Sequence, residues 1–178
     1  PIVARHSMRA MAAFQLVVRF PNIARSLLLE APPWWQPEAS QPASPPQEHP
    51  MQPWVDTITR LSLDELIAET RAEHPGWPEW VIETWCPAKK RVDPNILSIL
   101  DIAGSDWPTG VAQLAVPTLL ITGDPERGSI VTPEIAARAQ ALNPVCTLAH
   151  MPGAGHHVRF EAYEPYMRSV HAFLHGLS

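Results

Sequence analysis

Two short segments of this chain are apolar almost without interruption, and they limit the folds open to it. One lies in ARSLLLEA, residues 24–31, and the other in VPTLLITGD, residues 116–124. Continuous apolar runs of this length are typical of strands that are buried on both faces, as in parallel sheets. We therefore predict a sheet whose strands run parallel and whose two faces are both covered.

Helical patterns alternate with the predicted strands. Residues Met8 to Arg19 predict one helix, and SLDELIAETRAEH begins another with a capping box made by Ser62 and Glu65. Two further helices are predicted, one in TPEIAARAQALN with Thr132 as its cap and a closing amphipathic one in EAYEPYMRSVHAFLHG. The remaining two strands are predicted at residues 2–4 and in CTLAHMP. This alternation predicts an α/β fold with a parallel sheet, in which ligands bind at the carboxyl ends of the strands.

A proline-rich segment and a helical insert interrupt this alternation. Eight of the 21 prolines fall between Pro32 and Pro53, which predicts an extended, polyproline-like linker that is neither helix nor central strand. After it come PEWVIETWC, with Trp80 and Trp85 as aromatic anchors, and a third helix in DPNILSILDIA. We therefore assign residues 1–32 and 108–178 to the sheet domain, and residues 33–107 to the linker and helical insert.

Charge and composition exclude several classes of partner. The net charge is −5, with no block of like charges, which argues against a nucleic-acid partner or an anchor on an anionic membrane. No apolar run approaches the roughly 18–20 residues of a membrane span. Cys86 and Cys146 are more typical of free thiols in a reducing compartment than of a disulfide, which predicts a cytoplasmic location.

Polar residues with catalytic potential follow three of the predicted strands. Ser7 opens the first helix, Asp124 and Glu126 follow LLIT, and His156 stands in GAGHH after the last strand. Because the carboxyl ends of parallel strands meet at one edge, we expect these side chains to converge there. Serine hydrolases need a Ser nucleophile, a His base and a carboxylate that orients the His. Read in isolation, Ser7 is an ordinary helix N-cap.

Three segments resemble the C-terminal half of an α/β-hydrolase, in the family's chain order of Ser, acid and His. VARHSMRAMAAFQLVVRFPNIARSLLLEAPPW resembles the nucleophile elbow, its helix and the next strand. VPTLLITGDPERGSIVTPEIA resembles the acid-bearing strand and loop, and MPGAGHHVRFEAYEPYMRSVHAFL the catalytic-His loop and final helix. The resemblance runs from Ile2 to Leu174. It implies a partial α/β-hydrolase sheet of parallel strands flanked by helices, with the N-terminal strands missing and residues 33–107 in the place of a lid.

The resemblance also implies roles for individual residues. Ser7 matches the nucleophile, His156 matches the general base, and the backbone N–H of Met8 matches one donor of the oxyanion hole. The acid is either Glu126, three residues after the glycine that ends the strand, or its neighbour Asp124. The implied reaction cleaves an ester or a related acyl bond of a small molecule, and it needs no cofactor and no metal.

Three further residues are candidates for substrate contact. His6 precedes the serine and lies beside the expected oxyanion region, while Trp34 and Trp35 follow a strand end. Tryptophans are large amphipathic side chains that line apolar pockets, although most of the seven in this chain are expected in the core of the lid.

The elbow departs from the family pattern at two positions. The family has small residues on both sides of the serine because strand and helix approach closely there, and this chain has Arg5 and Arg9. Solvent-facing arginines would indicate an elbow relaxed into an ordinary turn. The alternative to a serine hydrolase is therefore a non-catalytic remnant of the fold, or a binding module. A sheet without its N-terminal strands also predicts self-association through an exposed edge.

Overall fold

The computed structural model describes residues 1–34, 51–93, 95–97 and 106–177. The chain divides into two compact units, one made of Pro1–Ser40 and Ile102–Ser178 and the other of Gln41–Asp101. Trp35, most of the predicted polyproline-like linker and most of the helix predicted in DPNILSILDIA lie outside the described residues. The helices described are α1 (Ser7–Arg19), α2 (Gln52–Arg60), α3 (Leu63–Glu73), α4 (Glu79–Lys89), α5 (Trp107–Gln113), α6 (Pro133–Leu142), α7 (Val158–Glu161) and α8 (Tyr163–His175).

A parallel sheet forms the centre of the first unit, as the apolar runs predict. Its strands are β1 (Ile2–His6), β2 (Ser26–Glu30), β3 (Thr118–Thr122) and β4 (Cys146–His150), in the order β1-β2-β3-β4 with every neighbouring pair parallel. Every residue of β2 and β3 is buried, whereas β1 and β4 are partly exposed. The two continuous apolar runs are thus the two central strands.

Alternate side chains of the central strands enter two separate cores. Leu27, Leu29 and Leu120 pack with residues of α1, α5 and α6 on one face. Leu28, Leu119 and Ile121 belong to the core on the other face, which includes α7 and the apolar side of α8. Successive side chains of a strand point to opposite faces, so both faces need a cover of helices. The parallel α/β architecture is confirmed.

An aromatic cluster anchors α5, a helix that the sequence does not predict. Trp34 and Trp107 are both fully buried and stacked, with their ring centroids 5.1 Å apart. Phe14 of α1 meets Trp34 edge-on at 5.2 Å. A Cβ atom at Gly110 would lie 2.6 Å from the ring of Phe14, so a glycine lets α5 approach α1 closely. Trp107, assigned above to the helical insert, therefore packs in the core of the sheet unit.

The second unit contains α2, α3 and α4, and its capping box is confirmed. The Ser62 hydroxyl accepts from the Glu65 amide at 3.3 Å, and the Glu65 carboxylate accepts from the Ser62 amide at 2.8 Å. The ammonium of Lys90 caps the C-terminal end of α2. It donates hydrogen bonds to the carbonyls of Ile58, Thr59 and Leu61. A cation at these carbonyls also complements the helix dipole.

Two local predictions about the insert are wrong. Trp80 is 62% exposed, because the buried face of α4 carries Val81, Ile82 and Cys86 instead. The proline-rich segment does not stay extended to its end, since α2 begins at Gln52 and contains Pro53 in its first turn. Proline is compatible with that position because the first amides of a helix have no intrahelical acceptor.

Candidate active site

The turn from β1 into α1 holds Ser7 in a strained backbone conformation. Ser7 has a φ of 52°, in the left-handed region that favours glycine. The N-cap of α1 is His6, in extended conformation, and Ser7 is the first helical residue. Ser7 is therefore not the N-cap of this helix. Backbone strain of this kind costs about 1–3 kcal/mol and clusters at functional sites.

Ser7 and His156 meet at the carboxyl edge of the sheet. The Ser7 Oγ lies 3.0 Å from the Nε2 of His156, which is hydrogen-bond distance, and both groups are partly buried. The Nε2 of His6 lies 3.0 Å from the carbonyl oxygen of His156. Because a carbonyl only accepts, this contact requires the His6 proton on Nε2. β1 and β4 are the opposite edges of the sheet, so the loop after β4 returns across the sheet to reach Ser7.

The two arginines of the elbow are exposed, and the turn is nevertheless strained. Arg5 donates to the neighbouring carbonyl of Ala4 at 2.8 Å, and the side chain of Arg9 is also exposed. We expected solvent-facing arginines to accompany a relaxed turn. Ser7 instead keeps its positive φ, with Arg5 on β1 and Arg9 in the first turn of α1.

Of the two acid candidates, Asp124 is already engaged by several groups. One carboxylate oxygen lies 3.0 Å from the Nε2 of His150, and the other accepts from the Gly153 amide at 2.7 Å. The Nδ1 of His150 in turn lies 3.1 Å from the Thr122 hydroxyl. Glu126 is exposed in the short 3-10 turn Pro125–Arg127. Asp124 is thus joined to His150, and Glu126 stands at the tip of the same loop.

The loop with the acid candidates is in direct backbone contact with the loop that carries His156. A Cβ atom at Gly123 would lie 2.3 Å from the Ala154 carbonyl oxygen, and one at Gly155 would lie 2.1 Å from the carbonyl oxygen of Arg127. The Asp124 amide donates to the Ala154 carbonyl at 2.6 Å. These two glycines are required because no side chain fits between the loops.

The sequence reasoning missed Glu30, a buried carboxylate at the same edge. Glu30 is 2% exposed and ends β2, in register with His6 of β1. Its two oxygens accept from the backbone amide of Arg159 at 3.1 Å and from the Arg159 guanidinium at 2.9 Å. Burial raises the pKa of Glu30, and Arg159 lowers it in part. The sequence does contain a signal for a buried carboxylate, because Glu30 is the one charged residue in the buried run SLLLE.

The remaining candidates surround the Ser7–His156 pair or lie in the core. The His157 ring is centred 5.0 Å from that of His6. Met8 is the second residue of α1, where a backbone N–H has no intrahelical acceptor. Trp34 is fully buried against Phe14 and Trp107, which explains its burial without a substrate, and a substrate contact for Trp34 stays a prediction.

Two other properties of the described residues bear on the chemistry of the site. Within them, no group of three or more His, Cys, Asp or Glu side chains could hold a metal ion. Cys86 and Cys146 are free and buried, and desolvation raises the pKa of Cys146 to about 12. A thiol with such a pKa stays protonated near neutral pH and is a poor nucleophile.

A parallel α/β sheet with a Ser–His pair at its carboxyl edge, and with the serine in a strained strand-to-helix turn, defines a narrow class of folds. Comparison with solved structures identifies the fold. The chain is similar to an N-formylmaleamic acid deformylase from Pseudomonas putida S16, with a TM-score of 0.74 and 22% identity over 95% of this chain. It has the α/β-hydrolase fold, as the sequence resemblance predicts.

Two further structures support the same fold. An E-2-(acetamidomethylene)succinate hydrolase matches 98% of this chain with a TM-score of 0.66 and 17% identity. A peroxisomal alpha-beta-hydrolase from Saccharomyces cerevisiae also matches 98% of it, with a TM-score of 0.68 and 17% identity. The chain spans 65%, 66% and 53% of the lengths of these three structures in the order given.

By sequence, neither a family model nor a curated protein matches the chain. Among the described helices, none is long and apolar enough to cross a membrane.

Proposed function

We propose that this chain carries the nucleophile and the base of a serine hydrolase that cleaves an ester or a related acyl bond of a small molecule. The observation that carries the proposal is the 3.0 Å contact between the Ser7 Oγ and the His156 Nε2, made by a serine whose φ is 52°. The similar structures whose names include a deformylase and a hydrolase support the same class of reaction.

The proposed reaction follows from this geometry. His156 accepts the proton of the Ser7 hydroxyl at Nε2 while the Oγ attacks the acyl carbon. The backbone amide of Met8, in the first turn of α1, donates to the oxyanion of the tetrahedral intermediate. His156 then protonates the leaving group, which departs and leaves an acyl group on Ser7. In the second half, His156 takes a proton from water while the water oxygen attacks the acyl carbon. The bond from the acyl carbon to the Ser7 Oγ then breaks, His156 returns the proton to that oxygen, and the acid product leaves.

A fluorophosphonate probe tests the nucleophile directly. We expect the folded protein to gain one probe adduct on Ser7, identified by mass spectrometry, and Ser7→Ala to gain none. Ser62→Ala, which removes the serine that caps α3, is the matched control and should label like the unmodified chain. A folded, unmodified chain that stays unlabelled at Ser7 would favour the alternative, a non-catalytic remnant or binding module.

Loss of the base separates labelling from turnover. We expect His156→Asn to lower kcat on p-nitrophenyl esters about 10²–10⁴-fold, because general-base catalysis contributes about that much. His171→Asn is the matched control, because His171 is exposed on α8, and its expected effect is small. Equal losses in both variants would contradict the assignment of His156 as the base.

Asp124 and Glu126 both remain candidates for the acid, and two isosteric variants distinguish them. The variant of the true acid, Asp124→Asn or Glu126→Gln, should lower kcat by roughly 10⁴-fold, as loss of the orienting carboxylate does in other triads. Asp124 also joins His150 to the Gly153 amide, so Asp124→Asn should lower the thermal midpoint as well. Glu126→Gln should leave the thermal midpoint unchanged, because Glu126 is exposed. If neither variant lowers kcat, the acid lies elsewhere.

The helical unit, Gln41–Asp101, keeps the proposed role of a lid over the substrate. Its own capping box and the closure of α2 by Lys90 support an element that folds as a unit. Replacing residues 41–101 by a short Gly/Ser linker should change KM and substrate preference while Ser7 still reacts with the probe. Unchanged KM values across esters of different acyl length would contradict the role of a lid.

A further inference from the structure

The loop that carries His156 has three backbone amides that donate to carboxylates, two before His156 and one after it. Asp124 accepts from the Gly153 amide at 2.7 Å, and Glu161 accepts from the Gly155 amide at 2.5 Å. Glu30 accepts from the Arg159 amide at 3.1 Å. Two of these contacts precede His156 along the chain, and the Glu30 contact is the one of the three that joins the segment after it to a strand of the sheet.

Glu30 differs from the other two carboxylates in its place and its burial. It lies on β2, between the strand that leads to Ser7 and the rest of the sheet. It is 2% exposed, and both of its oxygens accept from a single residue, Arg159. The contact spans 129 residues of sequence. Glu30 therefore fixes the end of the His156 loop at a strand that neighbours β1.

The backbone next to Glu30 supports a functional role for this position. Ala31 has a φ of 45°, and Ser7 and Ala31 are the two residues other than glycine with positive φ among those described. They follow adjacent parallel strands, β1 and β2. Strained residues persist where the surrounding structure holds them, and they cluster at active sites. The end of β2 thus has the same kind of conformation as the elbow itself.

A buried charge is also a costly way to fasten a loop. Charges taken out of water lose hydration, and a buried ion pair often contributes no more stability than neutral residues of the same volume. Burial raises the pKa of Glu30 above its usual value, which indicates that the charged form is disfavoured here. Such a pair is better explained by the geometry that it imposes than by net stability.

We propose that Glu30 is a positioning residue, which holds the loop after His156 on β2 through both hydrogen bonds to Arg159 and so keeps the imidazole in contact with Ser7. Glu30 acts through Arg159 rather than on the reacting atoms. The catalytic consequence rests on the proposed serine hydrolase, whereas the fastening of the loop does not.

Glu30→Gln is the sharpest variant, because glutamine has the same shape but only one acceptor oxygen. One of the two Arg159 donors then faces an amide NH₂ group and loses its partner. Hydrogen–deuterium exchange of the folded protein should become at least about tenfold faster at the amides of residues 156–160, while exchange in β3 stays unchanged. Glu79→Gln removes the exposed ion pair with Arg71 and is the matched control, with no expected change in residues 156–160.

Probe labelling measures the catalytic consequence in the same samples. We expect Glu30→Gln to label at Ser7 about 10–100-fold more slowly, since a displacement of about 1 Å can cost 10²-fold. On esters, kcat should fall and KM should stay the same. A purely structural role would instead lower global stability and speed exchange in β3 too.

The proposed hydrolase and the positioning role of Glu30 are contradicted by different results. If the unmodified chain does not label, the proposed hydrolase fails, and the exchange measurement still decides whether Glu30 fastens the loop. Exchange at residues 156–160 that matches the unmodified chain would overturn the positioning role, whatever the labelling shows. Should Glu30→Gln not fold, Arg159→Met removes the guanidinium contact from the more exposed partner, and the same exchange criterion applies.

Discussion

The proposed nucleophile, Ser7, and the proposed base, His156, are held in different ways. Ser7 is fixed by its own turn, in which a strand ends, a helix begins, and the backbone between them is strained. His156 lies on a loop held by carboxylates 29, 6 and 129 residues away from the amides that they bind. The first arrangement is encoded locally, and the second depends on the whole sheet unit. The conformation of Ser7 should therefore tolerate changes elsewhere that displace His156.

The largest expected effect comes from Gly155→Ala, which disturbs the loop that holds His156 and leaves the turn of Ser7 unchanged. The new Cβ would lie 2.1 Å from the Arg127 carbonyl oxygen, and backbone cannot move aside as a side chain can. We expect a loss of about 1–3 kcal/mol in the free energy of unfolding, measured by urea denaturation, and near-complete loss of Ser7 labelling. Gly76→Ala, with open space around its Cβ, is the control. A fully active Gly155→Ala protein would contradict the contact between the loops.

Ser7→Gly relieves the strain at the proposed nucleophile and removes the hydroxyl that contacts His156. Glycine adopts a φ of 52° without the penalty of a side chain, which is about 1–2 kcal/mol, but it loses more chain entropy on folding. We expect a net gain of up to about 1 kcal/mol in the free energy of unfolding, with labelling abolished. Ser7→Ala should abolish labelling without this gain. Equal stabilities of the two variants would show that the turn stores no strain.

The buried charge of Glu30 predicts a pH dependence of stability. Because the pKa of Glu30 is higher in the folded state than its usual value, the folded chain binds this proton more tightly than the unfolded chain does. The contribution of Glu30 is therefore most unfavourable above the raised pKa, and it improves as the pH falls through that pKa. Stability measured by urea denaturation, relative to Glu30→Gln, should rise as the pH falls from 7. A constant difference would contradict the raised pKa.

The smallest expected effect concerns the edge strand that leads to the nucleophile. β1 is partly exposed, and Ile2 is 46% exposed, so we expect the chain to self-associate weakly through this edge. Size-exclusion chromatography with light scattering should show a mass that rises with concentration, and Ile2→Lys should reduce the rise. A monomer with a sharp, cooperative melt at all concentrations would contradict the predicted association.

Much of the fold follows from short sequence patterns, because those patterns act locally. The capping box of Ser62 and Glu65 and the cap of Thr132 before Pro133 are both found where they were predicted. The buried runs give the two central strands. Trp80 is the counterexample, since its neighbours Val81 and Ile82 take the buried face of α4, and helical spacing alone does not decide which apolar side chain faces inward.

The support of the candidate site was beyond the reach of sequence patterns. Ser7 and His156 were proposed from a resemblance, and a Glu at the end of a buried strand carries no local signal of its partner. Arg159 lies 129 residues away from Glu30, and their pairing depends on how the chain crosses from β4 back over β2. Contacts of this kind are set by the tertiary fold. The sequence therefore predicted that Ser7 and His156 lie at one edge of the sheet, but not how the loop of His156 is held.

The direct backbone contact between the loop after β3 and the loop after β4 has a consequence for protein engineering. With Gly123 and Gly155 each closed against a carbonyl of the opposite loop, neither glycine position accepts a side chain unless the opposite loop moves. Residues 123–129 and 151–161 are thus packed together as one structural unit. Chimaeras that exchange both segments together should express as folded proteins, whereas exchanges of one segment should yield insoluble chains.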